Sequence, residues 1–379
     1  MELRGAPVTP FLTADVARRG AARRRAGLPV IAMHFGQPSQ GPARAALAAT
    51  AAALARPDLG YWESPELRAR LVAHYRSTYG VVVEAEQVLL TAGASAGLVA
   101  LFATAFRPGD RVALVCPGYP AYRNALVSLG LTPVELRTAA ASGYRLSAAM
   151  LARLDPAPHG LLLASPANPT GTVTPQAELL AIAQICRERR IRLISDEIYH
   201  GLSYGPRTAS ALEVEPDAFV VGSFSKFHRM PGWRLGWAIA PKAHAATIHD
   251  ALINLFLTPP ALSQHAALAA MESDDELRCS TVAYTANRRR LLDGLQALGV
   301  TAAEPDGAFY VYADFGRYTA DSQRFCLRAI DEIGVGMAPG VDFDPRGGGS
   351  HVRLCFAILE DELDTALDLL ARWLPGYRD

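Results

Sequence analysis

Long apolar runs, paired cysteines and an excess of charge are all missing from this sequence, and each absence removes a class of function. No stretch of about eighteen consecutive apolar residues occurs, and the alanine-rich segment 43–55 is too weakly hydrophobic to span a bilayer. It reads as a helix of a globular protein, brought to a stop by Pro57. The five cysteines (Cys116, Cys186, Cys279, Cys326 and Cys355) are odd in number, scattered and without a CxxC pair. Neither a disulfide framework nor a zinc site is indicated, no metal is expected, and a reducing cytoplasm is the compartment that fits. Lysine plus arginine and aspartate plus glutamate stand at 37 each. The chain therefore has no overall field to hold nucleic acid or an anionic membrane, and any anion site has to be local.

Charge does cluster once, near the N-terminus, in Arg18, Arg19, Arg23, Arg24 and Arg25. An organelle transit peptide or a nucleic-acid arm would look like this, and so would the solvated face of a helix over residues 15–26, which is the reading preferred. Residues 28–35 then run directly into a strand pattern, which leaves little room for a cleaved leader. No internal repeat or low-complexity linker is found except 347–349, read as a turn.

With 379 residues, half of them apolar, the chain can bury the core of two domains. The GQPSQGP stretch at 36–42 is a loop by its glycine and proline content, and Gly36 there lets a ligand approach the backbone closely. Ser64, Pro65 and Glu66 mark a helix start, with Tyr61 in the loop before it. From about residue 87 to about 240, strand patterns (87–91, 111–116, 129–136, 160–164, 192–195, 218–222) alternate with amphipathic helix patterns. Such alternation predicts a mostly parallel sheet with helices on both faces, whose ligands bind at the carboxyl ends of the strands. Ser95, Tyr119, Asn168, Asp196 and Lys226 all fall at that edge. The small residues Ala94 and Ser95 also open a helix, whose free N–H groups suit an anion.

The stretch 220–237, VGSFSKFHRMPGWRLGW, carries the chemistry. A lone lysine is most often a solvated one. Lys226, however, follows a buried strand, with Ser223 and Ser225 before it, Arg234 after it and Phe224, Phe227, Trp233 and Trp237 around it. An amine among such groups loses solvation and becomes a better nucleophile toward a carbonyl carbon. After residue 240 the composition changes to alanine- and leucine-rich helices (242–271, 287–298), and then to a small α+β unit with strands at 307–315 and 351–358 and a helix near 322–332. Arg353 lies within the last apolar strand. A buried guanidinium needs a partner, either a structural carboxylate or the carboxylate of a substrate.

Taken in order, Asn168-Pro-Thr-Gly171, Asp196-Glu-Ile-Tyr199, Ser223-x-Ser-Lys226 with Gly232-Trp-Arg234-x-Gly236, and the late Arg353 resemble the class I and II aminotransferases, of the fold type I pyridoxal phosphate group. The resemblance runs from the N-terminal helix to the last strand. It implies an α/β fold with a mostly parallel central sheet, plus a smaller α+β domain built from both chain ends: 1–43 joining the small domain, 44–270 as the large cofactor-binding domain and 271–379 as the small C-terminal domain.

It also implies roles. Lys226 would form the aldimine with pyridoxal 5′-phosphate and then move the proton. Asp196 would pair with the pyridinium nitrogen and keep the ring an electron sink. Tyr199 and Asn168 would hydrogen-bond the phenolic oxygen, and Tyr119 would stack on the ring. The phosphate would be held by the backbone at Ala94 and Ser95, the hydroxyls of Ser95 and Ser223, Arg234, and Tyr61 from a neighbouring subunit, so that a homodimer shares its active sites. Arg353 would hold the substrate carboxylate, with Gly36 and Asn168 assisting, and the Asn168–Pro169 bond would be cis.

The reaction implied is transfer of an amino group from an L-amino acid to a 2-oxo acid. Alternatives on the same fold are a cysteine-conjugate β-lyase, a specialised biosynthetic enzyme, or a non-catalytic binding protein. Ser95 stands where some aspartate-specific relatives carry a lysine, which argues against a dedicated aspartate enzyme. Arg123 and His228 are the residues that could substitute for that cation. His200, beside Tyr199, reads as a satisfied structural histidine.

Overall fold

The computed structural model describes residues 8–56, 59–205 and 207–379. The chain opens with α1 (Thr13–Arg25) and β1 (Ile31–Ala32), followed by α2 (Arg44–Ala53) and α3 (Pro65–Tyr79). Then come β2 (Val88–Thr91), α4 (Ala94–Ala105), β3 (Arg111–Cys116), α5 (Pro120–Ser128), β4 (Thr132–Arg137) and α6 (Ala148–Ala152). The middle of the chain forms β5 (Gly160–Ala164), α7 (Gln176–Arg189), β6 (Arg192–Asp196), β7 (Phe219–Ser223), β8 (Gly236–Ile239), α8 (Lys242–Phe256) and α9 (Ala261–Ala270). The last part holds α10 (Asp274–Ala297), β9 (Thr301–Ala302), β10 (Tyr310–Asp314), α11 (Ser322–Glu332), β11 (Val335–Gly336), β12 (Ala338–Pro339), β13 (His351–Cys355) and α12 (Glu360–Trp373).

Seven strands form the central sheet in the order β2-β8-β7-β6-β5-β3-β4, all parallel except β8, which runs against both its neighbours. Side chains alternate between two cores, as a period of two requires. Leu161 and Leu163 of β5 and Val220 of β7 face the core beneath α3, α7 and α9, whereas Leu162, Phe219 and Val221 face the one beneath α4, α5 and α8. Covered on both sides, the inner strands can be apolar throughout, which is why they stand out in the sequence. β4 takes the edge, where Pro133 costs no ladder hydrogen bond. It does not lead into a full βα unit as expected: a turn and the five-residue α6 follow before β5.

A second, antiparallel sheet (β12-β13-β10-β9) packs with α1, α10, α11 and α12 around its own core, which also takes in Val16, Ile31 and Met33 from the start of the chain. The strand expected over 28–35 shrinks to β1, because its parallel partner β11 is itself two residues long. The Met33 carbonyl still accepts from Cys355 N at 2.9 Å, and the chain then bends toward the ends of the large sheet. The amphipathic stretch at 287–298 is the second half of the longer helix α10. The 43–55 helix ends at Ala53, and its expected stop at Pro57 lies outside the described residues. The N-terminal arginines lie on α1, where Arg18 pairs with Asp15 and Arg19 with Asp331. Among the described residues no helix is long and apolar enough to cross a membrane.

One buried side chain pins the loop that carries Tyr61. Gln264 of α9 is fully buried; it accepts from Ser64 N (2.8 Å) and donates to the carbonyls of Trp62 and Pro259 (both 2.9 Å). Ser64 in turn caps α3 by accepting from Leu67 N at 3.1 Å. Gln264→Leu would strand three backbone groups, two of them buried. It is expected to lower the unfolding free energy by about 2–4 kcal/mol in urea titration, against about 1 kcal/mol for Ser64→Ala.

Candidate active site

The carboxyl ends of the central strands open onto a cavity of about 270 Å³, closed on its far side by residues 34–37, Phe11, Tyr310 and Arg353. Each turn at that edge contributes in chain order: Ala94 and Ser95 after β2, Tyr119 and Tyr122 after β3, Asn168 after β5, Tyr199 after β6, and Ser223, Ser225 and Lys226 at and beyond the end of β7.

Lys226 Nζ donates to the Gly36 carbonyl at 2.5 Å and stands 5.7 Å from the centre of the Tyr199 ring. Burial, and secondarily the charge of Arg353, lower the pKa of its amine to about 8. Asp196, the last residue of β6, is 2 % exposed and lies just behind the cavity wall. Burial raises its carboxyl to about 6, while hydrogen bonds from the Tyr122 hydroxyl (2.5 Å) and Ile198 N (3.2 Å) work in the opposite direction. A carboxylate so enclosed is best stabilised by a cation placed against it.

At the other end of the cavity the groups suit an anion. Gly93, at φ +81°, is the N-cap of α4, and a Cβ there would lie 2.4 Å from Arg234 Nη2. A glycine is therefore what lets the arginine approach the start of the helix. Ser223 Oγ donates to Ser225 Oγ at 2.9 Å, and Arg234, itself at φ +52°, donates to the Pro231 carbonyl at 2.9 Å. Helix dipole, hydroxyls and guanidinium converge there.

Arg353, at 2 % exposure, donates to Asn168 Oδ1 (3.0 Å) and to the His34 carbonyl (2.5 Å), and lies across the rings of Tyr310 and Phe343 at 4.6 and 4.8 Å. Among the described residues it forms no ion pair with a carboxylate, and its Nε has no partner. The structural ion pair weighed from the sequence is thus not what buries it. The His34 imidazole beside it is held down to about 4, by burial first and Arg353 second, so it stays neutral. Asn168–Pro169 is cis, as expected.

Of the residues to which the resemblance gives a cofactor or substrate role, all line the cavity except two, whereas the aromatic neighbours Phe224, Phe227, Trp233 and Trp237 expected around Lys226 do not line it. Asp196 sits one layer back, and Tyr61, 80 % exposed, lies apart from the cavity within this chain. Neither Arg123 nor His228 lines it: Arg123 pairs with Glu135 at 3.0 Å, and His228 is held against the rings of Phe224 and Phe227. His200 is a satisfied histidine, hydrogen-bonded to the Tyr79 hydroxyl (2.7 Å) and the Ser165 carbonyl (3.0 Å). Sequence reasoning missed Tyr122, Tyr310, His34, Phe11 and Phe35. Tyr122 had a signal, three residues past Tyr119 and so one helical turn along the same face. Phe11 had none.

The chain matches the family described as aminotransferase class I and II over residues 29–370. It is 43% identical to the valine–pyruvate aminotransferase of Mycobacterium tuberculosis across 98% of both chains, and 33% identical to the aspartate/prephenate aminotransferase of Thermus thermophilus across 96% of both. A crystal structure of an aminotransferase from M. tuberculosis superposes with a TM-score of 0.96 at 43% identity, covering 99% of each chain. The T. thermophilus aspartate aminotransferase with maleate gives 0.91 at 31% identity, covering 98% of this chain and 100% of that one. With a desolvated lysine, a buried carboxylate and an anion cradle around one cavity, this chain belongs to the class I and II aminotransferases, which use pyridoxal phosphate to move an amino group between an amino acid and a 2-oxo acid.

Proposed function

We propose that the protein transfers the amino group of small apolar L-amino acids, valine among them, to pyruvate. The carrying observation is the cavity's charge inventory. Among the described residues its cationic side chains are Lys226, Arg234 and Arg353, with His34 neutral, while Phe11 and Phe35 supply apolar surface at its rim. Lys226 and Arg234 are committed to the cofactor in this reading, so only Arg353 remains for a carboxylate. A substrate with a second carboxylate would have to bury it against aromatic rings, at a cost of several kcal/mol. The relative named for valine and pyruvate supports the same choice.

The residues present fit pyridoxal phosphate. The cradle of Gly93, Ala94, Ser95, Ser223, Ser225 and Arg234 would take its phosphate, Tyr119 its ring face, Asn168 and Tyr199 its phenolic oxygen, and Asp196 its ring nitrogen. When bound, the cofactor supplies an electron sink that acidifies the substrate's Cα–H bond. Lys226, free to be neutral near pH 8, takes that proton and returns it, and Gly36 O holds the amine in place until then. Arg353 orients the substrate carboxylate, with the carbonyl of His34 and Asn168 fixing the guanidinium.

We further infer a homodimer in which Tyr61, exposed and held by the Gln264 network, reaches the partner's phosphate cradle. In the same reading, the described residues of 1–43 and 271–379 form the smaller domain and those of 44–270 the larger. The five free cysteines are consistent with a cytoplasmic location.

Four measurements check this reading. Covalent capture of pyridoxal phosphate by the apoprotein, trapped with borohydride and mapped to Lys226, should rise with pH and level off above about 8, because the amine's pKa lies below its ordinary 10.5. Arg353→Met, by removing a neighbouring cation, should move that midpoint upward, and Lys226→Ala should give no labelled peptide. In steady-state assays with pyruvate, kcat/KM for valine should exceed that for aspartate by roughly 100-fold or more; equal values would overturn the apolar-substrate reading. Tyr61→Phe should weaken cofactor retention by roughly fivefold to tenfold in equilibrium dialysis. Sedimentation of the holoenzyme as a monomer would end the shared-site reading.

A further inference from the structure

Tyr310 stands outside every motif that pointed to the site, yet it touches the residues those motifs named. It is fully buried on β10, and its hydroxyl lies 2.6 Å from that of Tyr199. Its ring face carries Arg353 at 4.6 Å. The hydroxyl also fills the space beside Gly36, where a Cβ would come within 1.9 Å of it. Tyr310 thus joins the residue read as the carboxylate holder to the one read as a cofactor contact, across the gap between the two sheets.

A pair of phenols sharing one hydrogen bond has a choice of direction. Only one proton lies between the oxygens, and the other hydroxyl must aim its proton elsewhere. The other ionisable groups around the pair are Lys226, beside Tyr199, and Tyr119, Tyr122 and Cys355, which are neutral at ordinary pH. Arg353 is the permanent cation nearest the pair, and it lies directly on the Tyr310 ring. A positive charge there draws electron density from the phenol and makes its proton the better one to donate. Tyr199 then accepts, and its own proton is free to point into the cavity.

We propose that Tyr310 is a positioning residue: it donates to Tyr199, so that Tyr199 presents its proton to the phenolic oxygen of the cofactor, with the charge of Arg353 setting the direction. The proposal rests on the reading of Tyr199 as a cofactor contact given above. It explains why Gly36 cannot carry a side chain, because any Cβ there would displace the Tyr310 hydroxyl. It also makes Arg353 act on the cofactor end of the site through a neighbour as well as on the substrate.

The test is a double-mutant cycle on the holoenzyme with Tyr199→Phe, Tyr310→Phe and both together, reading the pH midpoint of the bound cofactor's visible absorption band. A donor on the phenolic oxygen drains negative charge that otherwise stabilises a proton nearby, so losing the donor raises the midpoint. Tyr199→Phe should raise it, and Tyr310→Phe should raise it by roughly threefold to tenfold in proton concentration. The double variant should match Tyr199→Phe alone, because the second hydroxyl acts only through the first. A Tyr310→Phe protein whose midpoint is unmoved while that of Tyr199→Phe shifts would overturn the proposal, whatever happens to its thermal stability. Shifts that add in the double variant would do the same. If Tyr199→Phe itself leaves the midpoint in place, the underlying role of Tyr199 fails first. Both substitutions keep the aromatic ring, so packing is preserved and the circular dichroism of each variant checks its fold.

Discussion

A guanidinium buried without a carboxylate partner among the described residues is the constraint around which this molecule is arranged. Removing an arginine from water costs several kcal/mol even after local relaxation, and proteins usually offset this with an ion pair. Arg353 has instead two neutral acceptors, the Asn168 amide oxygen and the His34 carbonyl, together with two aromatic faces. These partners come from three separate parts of the chain: the end of a central strand, the N-terminal crossing segment and the small-sheet region. The charge is held firmly in place by neutral partners.

The same economy of charge governs the rest of the cavity. Lys226 and Asp196 are moved in opposite senses by the one cause they share, burial, which lowers the amine to about 8 and raises the carboxyl to about 6. Each is brought toward the pH at which an enzyme works, the amine with the charge of Arg353 adding to burial. The carboxyl would rise further without the Tyr122 hydroxyl and the Ile198 amide. At the anion end the position is reversed: donors outnumber acceptors, and a missing side chain at Gly93 admits Arg234 to the mouth of α4. A molecule with an anionic group at one end, a cationic ring nitrogen at another and an aldehyde between them meets a complement at each point.

That these groups meet at all is a property of the sheet. In a parallel arrangement every strand delivers its following turn to the same edge, so residues as distant in sequence as Ser95, Asn168 and Lys226 become neighbours without any long-range signal. The antiparallel β8 returns the chain past Ser223 and places Arg234 beside the start of α4. The far wall is built differently, by a crossing segment and an antiparallel sheet whose register sets Tyr312 opposite Arg353 and leaves the ring of Tyr310 across the guanidinium.

What could be read from the sequence and what could not divide along this line. Apolar strands buried on both faces, the helix start at Ser64-Pro65 and the motif residues at strand ends are local facts: period, propensity and turn chemistry are written in neighbouring letters, and the parallel sheet follows from them. The placement of Ser95, Tyr119, Asn168 and Lys226 at the strand edge was legible for that reason, whereas the roles given to them came from the resemblance. The other half of the site was not. Whether residues 28–35 make a strand depended on the length of β11, some three hundred residues away, and Phe11, His34 and Tyr310 entered the cavity wall because of where the small sheet docks. Arg353 could be recognised as an expensive charge, but its lack of an ion pair is a matter of which side chains surround it. The sequence by itself determined the parallel sheet and the residues at its carboxyl edge, because backbone hydrogen bonding and side-chain alternation act over short range. Only the tertiary structure decided which groups share the Arg353 environment, because burial and electrostatic coupling depend on distance in space.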